Sequence, residues 1–469
     1  MTTLTCDVAV IGAGTAGLAA ERSARRAGAK TLLIDDGFGG TTCASVGCMP
    51  SKLLIAAAHA AHAIRAAAVF GICAQELVID GPAVMGRVRQ ERDAFVAGTL
   101  KSIAGIPDEI KVRARAHFVD QTRLALDDGR FVSAKAIVIA TGSRPMVPDM
   151  FRTLGPLALT NETIFELADL PASIAVIGAG PLGLELAQAL VRLGVTVEVF
   201  DQGERIAGLH DAEVAAELTL ILKREMPIRL GVKISVEREG DAVSLSWSRK
   251  SAGTKRFERL LIATGRPPQL ADLGLEVSGL ALDKHGTPLF DRNSMQCGTA
   301  PVFMAGDACG QVPVLHEAAS EGAIAGRNAA SFPTVHLSGR SVALAIMFTD
   351  PPLAVLGRPS AEGDIIGSAS YADQGRAKVE ARNAGLVRLY ADREHGRLVG
   401  AAMLGPAMDH MAHLLAWAIE RGETASGLLD MPFYHPTFEE GLKPALHQIC
   451  KAVNSTGASA HDEGKLPGG

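Results

Sequence analysis

A short apolar run, a glycine turn and a helix-like stretch occur twice in this chain, 166 positions apart, and this duplication restricts the fold more than any other feature. The first copy runs from Cys6–Ile11 through Gly-Ala-Gly-Thr-Ala-Gly to a second apolar run at 31–35. The second runs from 172–177 through Gly-Ala-Gly-Pro-Leu-Gly to 196–201. Strand, Gly-x-Gly-x-x-Gly, helix, strand is the layout of a dinucleotide site. The glycines give a tight turn, close approach of a pyrophosphate and close helix–strand packing, and the helix N-terminus offers its N–H groups to the phosphates. Gly12, Gly14 and Gly17 form the first turn; Gly178, Gly180 and Gly183 form the second. An acid near the end of the second strand accepts from a ribose hydroxyl. Asp35, 23 residues after Gly12, and Glu198, 20 residues after Gly178, are the candidates. Asp201 and Glu204 follow Glu198, and Arg205 is the only basic group close by, so carboxylates here suit a ribose 2′-hydroxyl and repel a 2′-phosphate.

The sequence Ile-Ala-Thr-Gly also recurs, at 139–142 and 262–265, and brackets an insertion. Thr141, Gly142 and Gly265 lie at these strand ends and are candidate cofactor contacts. The reading is a first nucleotide domain at 1–145 and 265–335, interrupted by a second at 146–264. Gly306-Asp307 ends a further strand of the first domain, where Asp307 can reach a bound cofactor. The small-residue stretch 316–330 reads as a helix able to pack close to a cofactor or sheet. From 336 to 453 the pattern changes to alternating strands and an amphipathic helix, a separate α+β domain. The polar, glycine-rich 454–469 reads as a flexible tail. A chain of 469 residues is too long for one core, in line with this division. A net charge of −5 gives no nucleic-acid footprint. No apolar run approaches the roughly eighteen residues of a membrane span. The N-terminus enters a strand pattern without a signal-like segment, and seven cysteines suit a reducing compartment, so the expected location is cytoplasmic.

Between the first unit and its long helix stands Gly40–Lys52, with Cys43 and Cys48 five apart. This is neither a C-x-x-C nor a common zinc spacing. It suits two buried thiols, or a disulfide if the helix start is irregular; a helix N-terminus would lower a thiol pKa. His59 and His62 read as ordinary helix residues, with no metal site. Cys73 reads as a buried thiol. Near the far end, His435-Pro436 begins a turn with Glu440 five residues on. A histidine can take a proton from a thiol while a carboxylate orients its other nitrogen, provided the turn folds the ring back.

Together these motifs, from residue 6 to about 450, resemble the class I pyridine nucleotide–disulfide oxidoreductases, and within them the dihydrolipoamide (dihydrolipoyl) dehydrogenases most. The resemblance implies an α/β fold class: two Rossmann-like domains, binding FAD and NAD with the second inserted in the first, plus a C-terminal α+β dimerisation domain. It implies a redox disulfide between Cys43, the interchange thiol, and Cys48, the thiol beside the flavin. Lys52 would lie near the flavin and pair with Glu185, Asp307 would bind the ribityl chain, and His435 with Glu440 would serve the partner subunit's site in a homodimer. The implied reaction is oxidation of dihydrolipoyl groups by NAD, with a lipoyl domain of a 2-oxo acid dehydrogenase complex as partner. Two departures stand at the redox turn: a second threonine precedes Cys43, and Ser45 replaces the family's asparagine. They bear on substrate preference rather than on the chemistry. The alternative reading is an NAD(P)H-dependent reductase of another disulfide, of glutathione type, or of a quinone.

Overall fold

The computed structural model describes residues 2–453; the tail at 454–469 lies outside the described residues. The first glycine turn stands at the carboxyl end of a seven-stranded sheet. Its parallel part runs in the order Lys111–Arg113, Thr31–Asp35, Thr3–Ile11, Phe131–Ile139, Val302–Met304. The central strands are apolar on both faces in their carboxyl halves, as parallel strands covered by helices must be, while the edge strand Lys111–Arg113 buries only Val112. Phe131–Ile139 is forked. Its second half pairs with Val302–Met304, and its first half pairs antiparallel with Arg123–Leu126, which in turn pairs with Ala116–Phe118.

The second unit repeats this plan strand for strand. Ile228–Arg229, Thr196–Phe200, Ser173–Ile177, Arg259–Ile262 and Ala158–Leu159 form a five-stranded parallel sheet in the corresponding order. A three-stranded antiparallel sheet, residues 233–257, stands where the first unit has its antiparallel fork. Backbone contacts repeat as well. Gly12 N–H donates to Ile34 and Ala140 N–H to Ile11, while Gly178 N–H donates to Phe200 and Ala263 N–H to Ile177. Duplication therefore extends from the glycine motif to the whole sheet.

The small-residue helix Leu315–Ser331 lies against the first phosphate helix, Thr15–Arg26. A Cβ at Gly326 would run into the Ala20 carbonyl, so the two backbones touch. The third unit is a five-stranded antiparallel sheet, in the order 344–347, 353–357, 398–404, 386–391, 365–370. Helices Met408–Glu420 and Lys443–Ala452 bury Met411, Leu415, Leu446 and Ile449 against it.

One expectation changes here. The helical stretch 42–70 does reach the length and hydropathy of a membrane span. It also carries Lys52, His59, His62 and Arg65, and it buries Leu54, Ile55, Ala58 and Ala61 in a core shared with Met85, Val88 and Leu184. Ala58 and Ala61 serve close helix packing inside the protein, while Ala56, Ala60, Ala63 and Ala66 on the other side are exposed. Cys73 differs too: it is exposed, not buried.

Candidate active site

The turn that carries the cysteines is built from its own side chains. Thr41 caps the four-residue helix Thr42–Ser45, its hydroxyl accepting from Ala44 N–H at 3.4 Å, and the Ser45 hydroxyl donates to the Thr41 carbonyl at 3.0 Å. The extra threonine and Ser45 thus both act within the turn. Gly47 lets the next helix, Cys48–Ala66, begin immediately; a Cβ there would press on the Thr42 carbonyl. As a result the Cys43 and Cys48 side chains, both free thiols, hydrogen-bond to one another. Cys43 is half-buried and Cys48 exposed, so the pair is not two buried thiols.

Cys48 is the first residue of a 19-residue helix, where unpaired backbone N–H groups favour an anion. Its pKa is pushed down to about 6, first by the hydrogen bond from Cys43 and next by the Lys52 ammonium one turn on; burial and the Glu185 carboxylate oppose this. Cys43 is the proton-bearing partner. That bond and its burial raise its pKa above that of an ordinary thiol. Of the two thiols, Cys48 is therefore the one that ionises first. In a Cys43→Ala variant the donor is lost, so the midpoint should rise. The rate of iodoacetamide alkylation against pH reads it. An unchanged midpoint would mean that the helix terminus and Lys52 suffice.

Lys52 is held by the second unit. Its Nζ lies 2.8 Å from Glu185 Oε2 and 4.6 Å from the Phe348 ring centre. Glu185, buried in the helix Pro181–Arg192 that follows the second glycine turn, accepts Phe348 N–H with its other oxygen at 2.7 Å. One carboxylate therefore joins the redox helix, the second phosphate helix and the third unit. Further along the same helix, Arg192 binds Asp350 at 2.8 Å and Glu225 at 2.7 Å.

Both glycine turns fit a dinucleotide. A Cβ at Gly12 or Gly17 would strike backbone, so those positions close the turn against the sheet, and Gly178 and Gly183 repeat this. At Gly14 and Gly180 a Cβ would meet nothing within 4 Å; the middle glycine of each turn faces open space where a pyrophosphate would lie. Beside the first turn, the buried Thr141 hydroxyl has no partner among the described residues, whereas its counterpart Thr264 donates to the Met146 carbonyl at 2.9 Å. Asp307 is the second residue of the turn Gly306–Cys309 and accepts the Ser143 hydroxyl at 2.7 Å. Gly142 and Gly265 instead lie in the crossover between the units, where their carbonyls accept from Gln269 and Met146 N–H.

The acid of the second site needs correction. Asp35 accepts Ala13 N–H at 2.8 Å from the end of its strand. The residue that does the same in the second unit is Asp201, which accepts Ala179 N–H at 2.6 Å. Glu198 lies three residues earlier, buried within the strand, where Lys255 at 2.6 Å and Arg229 at 3.1 Å neutralise it. Its carboxylate belongs to the contact with the antiparallel sheet, not to the glycine turn.

His435 is folded back as the sequence requires. Across a cis His435–Pro436 bond its Nδ1 lies 3.0 Å from Glu440 Oε2, and Thr437 N–H donates to the same oxygen at 3.2 Å. Glu440 is 12% exposed and the imidazole 46%, so the carboxylate is fixed while the ring faces outward. Within one chain the structure does not bring this pair to the cysteines. The cysteine turn packs on Cys48–Ala66 and Gly81–Ala104, whereas the turn Glu439–Leu442 packs on Ile365–Ser370 and Lys443–Ala452. In the segment that leads to the histidine, Met431 and Tyr434 are exposed apolar side chains, and the third unit also exposes Trp417 and Leu414 on the helix Met408–Glu420.

Residues 6–322 match the family described as pyridine nucleotide-disulphide oxidoreductase, and residues 344–446 match its dimerisation domain. The chain is 28% identical to a dihydrolipoyl dehydrogenase of Bacillus subtilis, over 94% of this chain and 97% of that one. It is 30% identical to a mercuric reductase of Acidithiobacillus ferrooxidans, over 97% of this chain and 84% of the other. Among solved structures, a flavoprotein disulfide reductase of Escherichia coli, RclA, superimposes with a TM-score of 0.79 at 21% identity, over 94% of this chain and 99% of that one; this likeness speaks for the fold. With its duplicated nucleotide units, its thiol pair and its third unit, this chain belongs to the pyridine nucleotide-disulphide oxidoreductases, enzymes that use FAD and NAD(P), and carries their dimerisation domain.

Proposed function

We propose that this protein oxidises dihydrolipoyl groups with NAD through a Cys43–Cys48 disulfide, as a homodimer whose His435–Glu440 pair serves the partner's cysteines. The observation that carries this reading is the placement of the thiol pair: Cys43 in the short helix Thr42–Ser45 and Cys48 at the start of the next helix, one turn from Lys52, where an anion is favoured at Cys48. In the oxidised pair the two sulfurs are bonded. Nε2 of His435 takes the proton of an incoming dithiol, with Nδ1 held by Glu440. The substrate thiolate attacks Cys43, and Cys48 leaves; a low-pKa thiol is the better leaving group. The second substrate thiol attacks the mixed disulfide, and the oxidised substrate departs. The substrate has lost two electrons and two protons: the protein pair holds the electrons as a Cys43 thiol and a Cys48 thiolate, one proton is on Cys43, and the other passes through His435 to solvent. The first glycine turn, Asp35, Thr141 and Asp307 would hold FAD, and the second turn and Asp201 a nicotinamide nucleotide; bound there, the two would supply the two-electron chemistry for reoxidising the pair.

Several observations favour this substrate and cofactor. The relatives named dihydrolipoyl dehydrogenase match along nearly the whole chain. A carboxylate at Asp201 suits a ribose hydroxyl and repels a 2′-phosphate. The match of residues 344–446 to a dimerisation domain, with Trp417 and Tyr434 left exposed in it and just before His435, suits burial against a second copy. Asp201→Ser should reduce the preference for NAD over NADP by about tenfold or more, read as the ratio of the two kcat/KM values; an unchanged ratio would remove Asp201 from the site.

The mercuric reductase relatives support a second reading, a reductase that runs outward from NAD(P)H to another acceptor. Turnover of dihydrolipoamide with NAD, set beside glutathione disulfide, a quinone and Hg(II) each with NADH and NADPH, separates the two. Substantial turnover only in the outward assays would reject the lipoyl reading.

A further inference from the structure

The segments that join the two nucleotide units run side by side. Arg144 N–H donates to Pro267 at 3.2 Å, Met146 N–H to Gly265 at 2.9 Å, and Gln269 N–H to Gly142 at 2.9 Å. Arg266 lies in this crossover, and its guanidinium donates to three acceptors. Nε reaches Ser143 Oγ at 3.2 Å, Nη2 the Ser143 carbonyl at 2.9 Å, and Nη1 Asn161 Oδ1 at 2.8 Å. Ser143 and Asn161 are both buried, 9% and 4% exposed, so their remaining polar atoms need partners within the protein. Each passes the contact on. The Ser143 hydroxyl donates to Asp307 Oδ2 at 2.7 Å. The Asn161 amide, its oxygen occupied, donates from Nδ2 to the Val46 carbonyl at 2.7 Å. Val46 lies in the turn between Cys43 and Cys48.

Arginine only donates. A guanidinium at the centre therefore fixes the direction of both chains: one ends on the thiol turn, the other on the acid of the first nucleotide site. We propose that Arg266 is a positioning residue that registers the Cys43–Cys48 turn against Asp307 from the crossover. The proposal rests on the roles given above to the thiol pair and to Asp307. A lysine keeps the charge but is a single point donor, and cannot reach three acceptors in the fork geometry of a guanidinium.

The test compares Asn161→Ala, Ser143→Ala and Arg266→Lys with the unaltered holoprotein. The first readout is iodoacetamide alkylation of the reduced pair against pH; the second is the rate of FAD release, followed by flavin fluorescence. Asn161→Ala should change alkylation by about threefold or more while leaving FAD release alone. Ser143→Ala should speed FAD release by about threefold or more while leaving the thiols alone. Arg266→Lys should move both. If Arg266→Lys does not fold, the two single-arm variants decide. The proposal is overturned if Asn161→Ala leaves the thiols unchanged, if Ser143→Ala leaves FAD release unchanged, or if a folded Arg266→Lys matches the unaltered protein in both. If the unaltered holoprotein shows no low-pKa thiol at Cys43–Cys48, it is the functional reading that fails, and it does so before any variant is compared.

Discussion

Cys48→Ser is expected to reduce dithiol turnover by about four orders of magnitude or more, a loss of the size seen when a catalytic nucleophile is removed. The reason is specific to this side chain. Cys48 starts a 19-residue helix, receives a hydrogen bond from Cys43 and lies one turn from Lys52, all of which favour a sulfur anion. A serine hydroxyl keeps the shape and the hydrogen bond, but it neither ionises in this range nor bonds to sulfur. The substitution removes no buried contact, because Cys48 is exposed, so the variant should fold and retain flavin. Two measurements check it. Oxidation of NADH by an artificial acceptor should persist. Anaerobic reductive titration should fall from about four electrons per chain, two for the sulfur pair and two for the flavin, to about two. A variant that retains dithiol turnover would remove Cys48 from the mechanism, and an unaltered protein that takes up only two electrons would remove the disulfide itself.

His435→Gln should slow dithiol oxidation by about 10²–10⁴, the usual span for loss of a general base, and again spare NADH oxidation by an artificial acceptor. Equal loss of both activities would reject the role. The architecture makes a sharper demand. In a single chain the Glu439–Leu442 turn packs on the third unit, away from the cysteine turn, so the base must come from a second copy if it acts on Cys43 at all. In a two-fold dimer each site then takes its thiols from one chain and its base from the other. Co-expressed with a Cys43→Ser chain, the His435→Gln chain should therefore regain dithiol turnover, because a mixed dimer holds one site with both cysteines and an intact histidine. Neither variant should do so alone. Mixed dimers that stay inactive would show that histidine and thiols act within the same chain.

Much of this was legible in the residues. Two glycine turns and two Ile-Ala-Thr-Gly strand ends marked a duplicated sheet with one copy inside the other, because those turns need glycine for steric reasons that hold in any context. The Cys43–Cys48 and His435–Glu440 spacings pointed to contacts that the backbone does form. The error at Glu198 is instructive. Asp35 lies 23 residues after Gly12, and Asp201 lies 23 residues after Gly178, so the internal repeat itself points to the carboxylate that closes on the second glycine turn. Counting twenty residues stopped inside the strand, at a carboxylate whose partners Arg229 and Lys255 arrive from strands far along the chain. Asn161, Ser143 and Arg266 carry no motif. Their importance arises from a crossover that only the folded chain assembles.

The crossover has a consequence for how such a chain arises. The insert departs and returns through segments one hydrogen bond apart, Met146 N–H to the Gly265 carbonyl at 2.9 Å. A copied gene segment spliced at that point joins its parent through neighbouring ends, so no strand of the host has to part to admit it.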